Sequence, residues 1–214
     1  MPATLRRPDG PLDCLVSVQL EVAQGALGSA LSRRCYGARL SLSCGAMPNL
    51  RSSHVEVYVF RRRRGRIEFL ALRRSPGRKL GGVWQPVTGK RRRLEPAARA
   101  ASRELTEETG LEPRRMWCLE TMTFYYDTDA DSFAVLPLFV AEVRASDRVK
   151  LSREHTAFAW LPRVRCGRRY LWASQQRALE AIRGEILSGG ALARALEITY
   201  QSPRARARAA RPSR

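Results

Sequence analysis

The stretch 89–111 reads G-K-R-R-R-L-E-P-A-A-R-A-A-S-R-E-L-T-E-E-T-G-L and constrains this 214-residue chain more than any other segment. Pro96 stands where a helix can begin, because its missing N–H is no loss in a first turn. Gly110 stands where the helix can end, because glycine takes the left-handed cap without strain. At 3.6 residues per turn, Glu104, Glu107 and Glu108 share one arc of roughly 100°, with Arg103 at its edge. Ala98, Ala101 and Leu105 form a neighbouring apolar stripe able to face a core. Three carboxylates on one helix face repel one another, and Arg103 relieves only part of that. A hard divalent cation relieves more, and Mg²⁺ takes carboxylate oxygens, keeps waters and binds phosphates. The arc therefore reads as a metal–phosphate site. A bare E-x-x-E-E leaves a solvated acidic helix face as the plain alternative.

The rest of the stretch resembles the Nudix hydrolase box, G-x₅-E-x₇-R-E-U-x-E-E-x-G-U with U aliphatic. Gly89, Glu95, Arg103, Glu104, Leu105, Glu107, Glu108, Gly110 and Leu111 fill every specified position. With average residue usage, such a match arises by chance about once in ten million chains of this length. The resemblance implies an α/β (α+β) fold, an α-β-α sandwich with a mixed sheet between helices and a loop-helix-loop box. It implies hydrolysis of a diphosphate bond with Mg²⁺, or Mn²⁺ in its place. In that family the carbonyl of the first box glycine is commonly a metal ligand, which maps to Gly89. Glu104 and Glu108 are the firmest carboxylate ligands, Glu107 is either a ligand or the proton acceptor, and Arg103 orients Glu104 and Glu107. The segment 154–160, E-H-T-A-F-A-W, resembles an E-H-x-x-[FY]-x-W motif of several branches, which makes Glu154 a fourth metal carboxylate. Without the resemblance Glu154 reads as an exposed loop residue. The words W-Q-P-V-T-G before the box are similar to the dihydroneopterin triphosphate diphosphatase branch and to dATP pyrophosphohydrolases. Trp172 and the helix beginning near Ser174 resemble the ending of that branch.

Charge and cysteine usage bound the setting. The formal net charge is +19, nearly all from arginine. Such a balance steers polyphosphate substrates and attracts nucleic acid, while solvated arginines account for it equally simply. Residues 201–214 hold five arginines and no acidic residue. That tail cannot bury a core, is expected to be disordered, and offers non-specific nucleic-acid contact. The five cysteines form no C-x-x-C pair, so reduced thiols and a cytoplasmic location are expected, with Cys118 packed in a core. No run of 18 apolar residues occurs, so no membrane span is expected. His54 and His155 are the two histidines, which leaves no credible Ser-His-Asp arrangement.

In chain order, residues 1–46 are poorly patterned, and Met47 is the expected natural start, a targeting peptide being the alternative. The expected domain is 47–190, followed over 191–214 by a short helix and the basic tail. His54 to Phe60 alternates and predicts a half-buried strand. Arg61 to Arg66 predicts a turn, Ile67 to Leu72 its partner strand, and Arg73 to Leu80 a basic loop. Within that loop Arg74 is a candidate for substrate phosphate. Trp84 can stack on a base or pterin or pack structurally. Met116 to Tyr126 and Phe133 to Val143 predict strands, with Pro137 at a bulge or edge. Tyr125 is either a pocket residue or packing. Ser174 is a candidate helix cap, and Leu179, Ile182 and Ile186 are that helix's buried stripe. Three functions remain: a pyrophosphohydrolase of a small nucleotide or pterin triphosphate, an RNA 5′-end pyrophosphohydrolase, and a non-catalytic binding module.

Overall fold

The computed structural model describes residues 50–199. The expectations placed on residues 1–46 and on the tail from 201 lie outside the described residues. The elements are β1 (Leu50–Arg51), β2 (His54–Arg63), β3 (Arg66–Arg74), β4 (Trp84–Gln85), β5 (Val87–Lys90), α1 (Ala97–Thr109), β6 (Arg115–Asp127), β7 (Ser132–Val143), β8 (His155–Leu161), α2 (Arg163–Arg169), α3 (Ala173–Ile182) and α4 (Gly190–Ala195). A π-helical turn, Arg183–Leu187, continues α3.

One mixed sheet carries the fold, the α+β sandwich expected from the box. Its main path is β1-β7-β2-β3-β4; β5 also joins β2, β6 joins β7, and β8 joins β3. Strand β2 is central. It runs parallel to β7 on one side and on the other pairs with β5 through its first half and β3 through its second. Alternate residues of the sheet enter two cores. Val55, Val57, Val59, Leu70, Leu72 and Phe139 pack against Ala100, Ala101 and Leu105 of α1. Tyr58, Phe60, Phe69, Leu138 and Val140 pack against Cys166, Leu179 and Ile182 of α2 and α3. Each fully buried Val, Leu or Phe contributes roughly 2 kcal/mol through area removed from water.

This two-sided cover corrects the expectation for His54 to Phe60. The strand is buried on both faces from Val55 to Arg61, as a central strand with helices above and below must be. The predicted turn over Arg61–Arg66 contracts to Arg64–Gly65, both at positive φ. Arg61 instead stays in the ladder, its guanidinium 2.7 Å from Glu68 on β3. The basic loop starts later than predicted, because Arg73 and Arg74 belong to β3. Pro96 stands one position ahead of the helix at the cap, with ψ 140°, and Gly110 closes it at φ 68°. Ser174 is not a cap: α3 starts at Ala173, and the Gln175 side chain accepts from the Trp172 amide instead. The W-Q-P-V-T-G words lie on β4 and β5. Pro137 sits opposite Met122 beside an irregularity in β6, as its missing N–H requires. Leu179, Ile182 and Ile186 are buried as predicted, and Cys118 is half-buried against the α1-side core. Among the described residues no helix is long and apolar enough to cross a membrane.

Candidate active site

The box folds as strand, loop and helix, and the packing of α1 on β5 sets its geometry. Gly89 pairs with Val55 in β5. The space a Cβ would need at Gly89 is filled by Glu104: its Oε1 would be 2.5 Å from that atom, and its Cγ and Cδ nearer still. Only glycine lets the Glu104 side chain lie across the strand here. Arg103 then ties the carboxylates together. Its Nη1 donates to Glu104 Oε1 at 2.7 Å and to Glu107 Oε2 at 2.8 Å. Its Nε and Nη2 donate to the two oxygens of Glu95 at 2.9 and 2.8 Å, and Nη2 also donates to the Lys90 carbonyl at 3.0 Å. This fork holds the Glu95 carboxyl down at about 2, and the carboxylates around Arg103 raise its own affinity for a proton. Glu104 is shifted the other way: burial raises its affinity for a proton, against the Arg103 hydrogen bond.

Glu108 is the deepest carboxylate, 4% exposed. Burial first, and then the Glu104 and Glu154 charges, push it up to about 9; Arg74 and a hydrogen bond from the Thr88 amide oppose this. Its Oε2 is buried with no hydrogen-bond partner. His155 Nε2 lies 3.8 Å from that oxygen, too far for a hydrogen bond. Burial and the Arg74 charge hold His155 at about 4, so the ring is neutral near pH 7. The structure thus places His155 as packing against Glu108, with both ring nitrogens unpartnered.

Two further loops close the site. Lys150 and Ser152 amides donate to the Thr109 and Glu108 carbonyls, fixing the segment ahead of Glu154 to the end of α1. The Ser75 amide and hydroxyl donate to the carbonyls of Glu154 and Arg153, joining the β3 exit to the same segment. A register shift between Arg73 and Arg74 sets Arg74 opposite His155, on the α1 side of the sheet where Glu108 lies. Arg74 Nη1 donates to Gln85 (3.4 Å), whose Nε2 donates to Thr88 Oγ1 (3.1 Å).

Of the residues singled out in the sequence, Gly89, Arg103, Glu104, Glu107, Glu108, Glu154 and Arg74 come together at this end of the sheet. Trp84 and Tyr125 do not join them: they sit on the α3 side. Trp84 is half-buried under the Arg169 guanidinium, 4.7 Å from the ring centroid. Tyr125 is 43% exposed and lies close enough to Glu56 to feel its charge. Sequence reasoning missed Arg78, Arg92, Gln85 and Thr88. Arg78 holds Glu154 at 3.1 Å and Arg92 holds Glu107 at 3.0 Å. Periodicity carries no trace of these contacts, since both arginines reach their partners from loops.

The donor set is all oxygen, which suits a hard cation. The orphaned Glu108 oxygen and the Gly89 cradle that admits Glu104 are the features such an ion would use. Among the described residues no three acidic, histidine or cysteine side chains converge on a point as they stand; Arg103 occupies Glu104 and Glu107, and Arg78 occupies Glu154.

Known proteins agree with this architecture. A family model described as NUDIX domain matches residues 51–181, more than half of the chain. A curated protein named octanoyltransferase from Myxococcus xanthus is 34% identical over 123 residues, 54% of this chain and 32% of its own length, so the chain spans about a third of that relative. Among solved structures, a C. elegans Ap4A hydrolase binary complex aligns with a TM-score of 0.54 at 23% identity, over 63% of this chain and 96% of its own. The NUDIX domain of Shewanella oneidensis NrtR complexed with ADP ribose aligns with a TM-score of 0.53 at 17% identity, over 69% and 94%. With the box complete in sequence and folded as strand, loop and helix, the chain belongs to the NUDIX family.

Proposed function

We propose that this chain hydrolyses a diphosphate bond in a small nucleotide-like or pterin triphosphate, of the dihydroneopterin triphosphate or deoxynucleoside triphosphate kind, releasing pyrophosphate. The observation that carries this reading is the seating of Glu104 on Gly89 beside the buried, unpartnered oxygen of Glu108. Glu104, Glu107, Glu108, Glu154 and the Gly89 carbonyl would hold Mg²⁺ or Mn²⁺. When bound, the ion supplies Lewis-acid polarisation of the phosphoryl oxygens and lowers the pKa of water. Arg103 positions the helix carboxylates, because one guanidinium serves Glu104 and Glu107 together while Glu95 fixes its other edge. Arg78 and Arg74 face the same end of the sheet as cations. Phosphate oxygens can replace their carboxylate and amide partners there, so the polyanion frees Glu154 as it binds. Glu104 or Glu107 takes the proton from the attacking water in an in-line displacement at phosphorus. Tyr125 offers exposed aromatic surface for a flat ring, and a ring can reach Trp84 only by displacing the Arg169 guanidinium that covers it. The pre-box words W-Q-P-V-T-G support the pterin or deoxynucleotide class, and the name of the C. elegans relative keeps dinucleoside polyphosphates in view.

The test is a substrate panel with Mg²⁺: nucleoside triphosphates, dihydroneopterin triphosphate, a dinucleoside polyphosphate, ADP-ribose and 5′-triphosphate RNA, with wild type and Glu108→Gln compared. Turnover of a small triphosphate, lost in Glu108→Gln, is the expected result. Turnover of the RNA alone moves the activity to RNA 5′ ends. No turnover of any substrate by wild type leaves a binding module and sinks the reading.

A further inference from the structure

The end of the sheet opposite the carboxylates carries a second feature that the proposed hydrolysis does not use. Along β2, from Val55 beside Gly89 to Arg62, the strand advances about 23 Å at roughly 3.3 Å per residue. Beyond it lies a cavity of about 240 Å³ between β2, β6 and the α3–α4 connection, with Arg62, Arg115 and Arg194 on its rim and Trp117 in its wall.

Three observations make this more than a chance gathering of arginines. First, Trp117 is 2% exposed, yet its indole N–H has no hydrogen-bond partner. A buried donor left unpaired is unusual in a folded protein. Second, the rim keeps donor capacity after its own ion pairs are counted. Arg115 spends Nε and Nη2 on Glu197 (2.8 and 2.6 Å), which leaves Nη1. Arg62 sets only Nε against Glu142 (3.3 Å), and exposed Arg194 has no ion pair among the described residues. A guanidinium carries five N–H donors, so most of the rim's capacity is free. Third, the rim is built rather than draped. The Arg115 guanidinium lies over the Trp117 ring at 4.7 Å, and the Trp117 ring stacks on Phe60 in the core. A depression at the hairpin tip is lined by Arg63, Arg64, Arg66 and Glu68, three cations to one acid, so the positive field extends along this end of the sheet.

We infer that the Arg62–Arg115–Arg194 cavity is an anion site for a phosphate group, remote from the carboxylates. Forked guanidinium donors match the geometry of phosphate oxygens, and a cavity of this volume admits a phosphate or diphosphate. The shared chemistry is the phosphate oxyanion, whether from a free phosphate compound or from a nucleic-acid backbone.

The test uses the full chain in EDTA, so that no divalent ion bridges phosphate to the box. Indole ¹⁵N–¹H resonances are followed by NMR, and Trp117 is identified by the peak that vanishes in Trp117→Phe, which keeps an aromatic ring in the stack. Pyrophosphate in one arm, and a single-stranded oligonucleotide lacking terminal phosphates in the other, are titrated in. A saturable shift of the Trp117 peak by pyrophosphate, weakened about tenfold or more in the Arg62→Gln/Arg194→Gln double variant and intact in Glu108→Gln, is the expected result. A shift with the oligonucleotide alone assigns the site to the phosphodiester backbone. No saturable shift in either arm, or a shift that survives in the double variant, overturns the inference.

Discussion

Replacing Gly89 by Ala tests the geometry of the candidate active site with a single methyl group. Glycine in β5 has ordinary extended backbone there, so the methyl group brings no backbone strain. Its effect comes from what it meets. The new Cβ would sit 2.5 Å from Glu104 Oε1 and nearer to Cγ and Cδ, whereas non-bonded heavy atoms rest at about 3.5–4.0 Å. The Glu104 side chain must therefore retreat by about 1 Å or more. It cannot simply swing, because Arg103 Nη1 holds Oε1 at 2.7 Å and is itself pinned by Glu95 and the Lys90 carbonyl. Two costs follow. Overpacking destabilises the fold by about 1–3 kcal/mol. A 1 Å misplacement of a group that positions a reaction lowers kcat/KM by about 100-fold, or about 2.7 kcal/mol in the barrier. The assay pairs steady-state hydrolysis of the substrate found in the panel with a thermal melt. Gly89→Ala retaining kcat/KM within about threefold of wild type, with an unchanged melt, would show that Glu104 does not rest on this glycine or does not take part in the reaction.

Arg103→Lys keeps the charge but loses the fork that serves Glu95, Glu104 and Glu107 together. kcat is expected to fall by roughly 10–100-fold with a smaller change in KM, checked by separate determination of the two constants. Leu105→Ala, at a site with no solvent exposure, is expected to cost about 2–5 kcal/mol of stability in denaturant unfolding; a cost under about 1 kcal/mol would mean that the α1 core is not packed as described. The Glu95 carboxyl, held at about 2 by Arg103, contributes stability that is present above the ordinary carboxylate range and lost as pH falls toward 2. The difference in melting temperature between wild type and Glu95→Gln should therefore be largest above about pH 5 and shrink toward pH 2. A difference that stays constant with pH removes that explanation. Cys166, buried and pushed up to about 11, should resist alkylation at pH 8 in the folded protein and react once denaturant is added, as mass spectrometry would record.

Much of this site was legible in one dimension because its residues lie on one helix. The helical period places Glu104, Glu107, Glu108 and Arg103 relative to one another wherever that helix docks, and Pro96 and Gly110 bound it by backbone chemistry alone. The alternation of Val55, Val57 and Val59 likewise marks a strand, and the turn signal around Gly65 pairs β2 with β3. The ranking of the carboxylates was not legible. Glu107 and Glu108 are adjacent in sequence, yet one is solvent-exposed and bound to two arginines while the other is buried with an unpaired oxygen. Only the docking of α1 on β5 separates them.

The sequence by itself thus determined the family, the helix that carries the acids and the strands that flank it, because those signals are local: periods, caps and a fixed spacing. The tertiary structure alone decided that β2 is covered on both faces, that Glu104 rests on Gly89, and that Arg78 reaches Glu154 across more than seventy residues. It also parted Trp84 and Tyr125 from the carboxylates and closed the arginine cavity at the far end of the sheet. Those contacts join residues distant in the chain, and their energies depend on burial and distance, quantities that exist only once the sheet and its two helical layers are assembled.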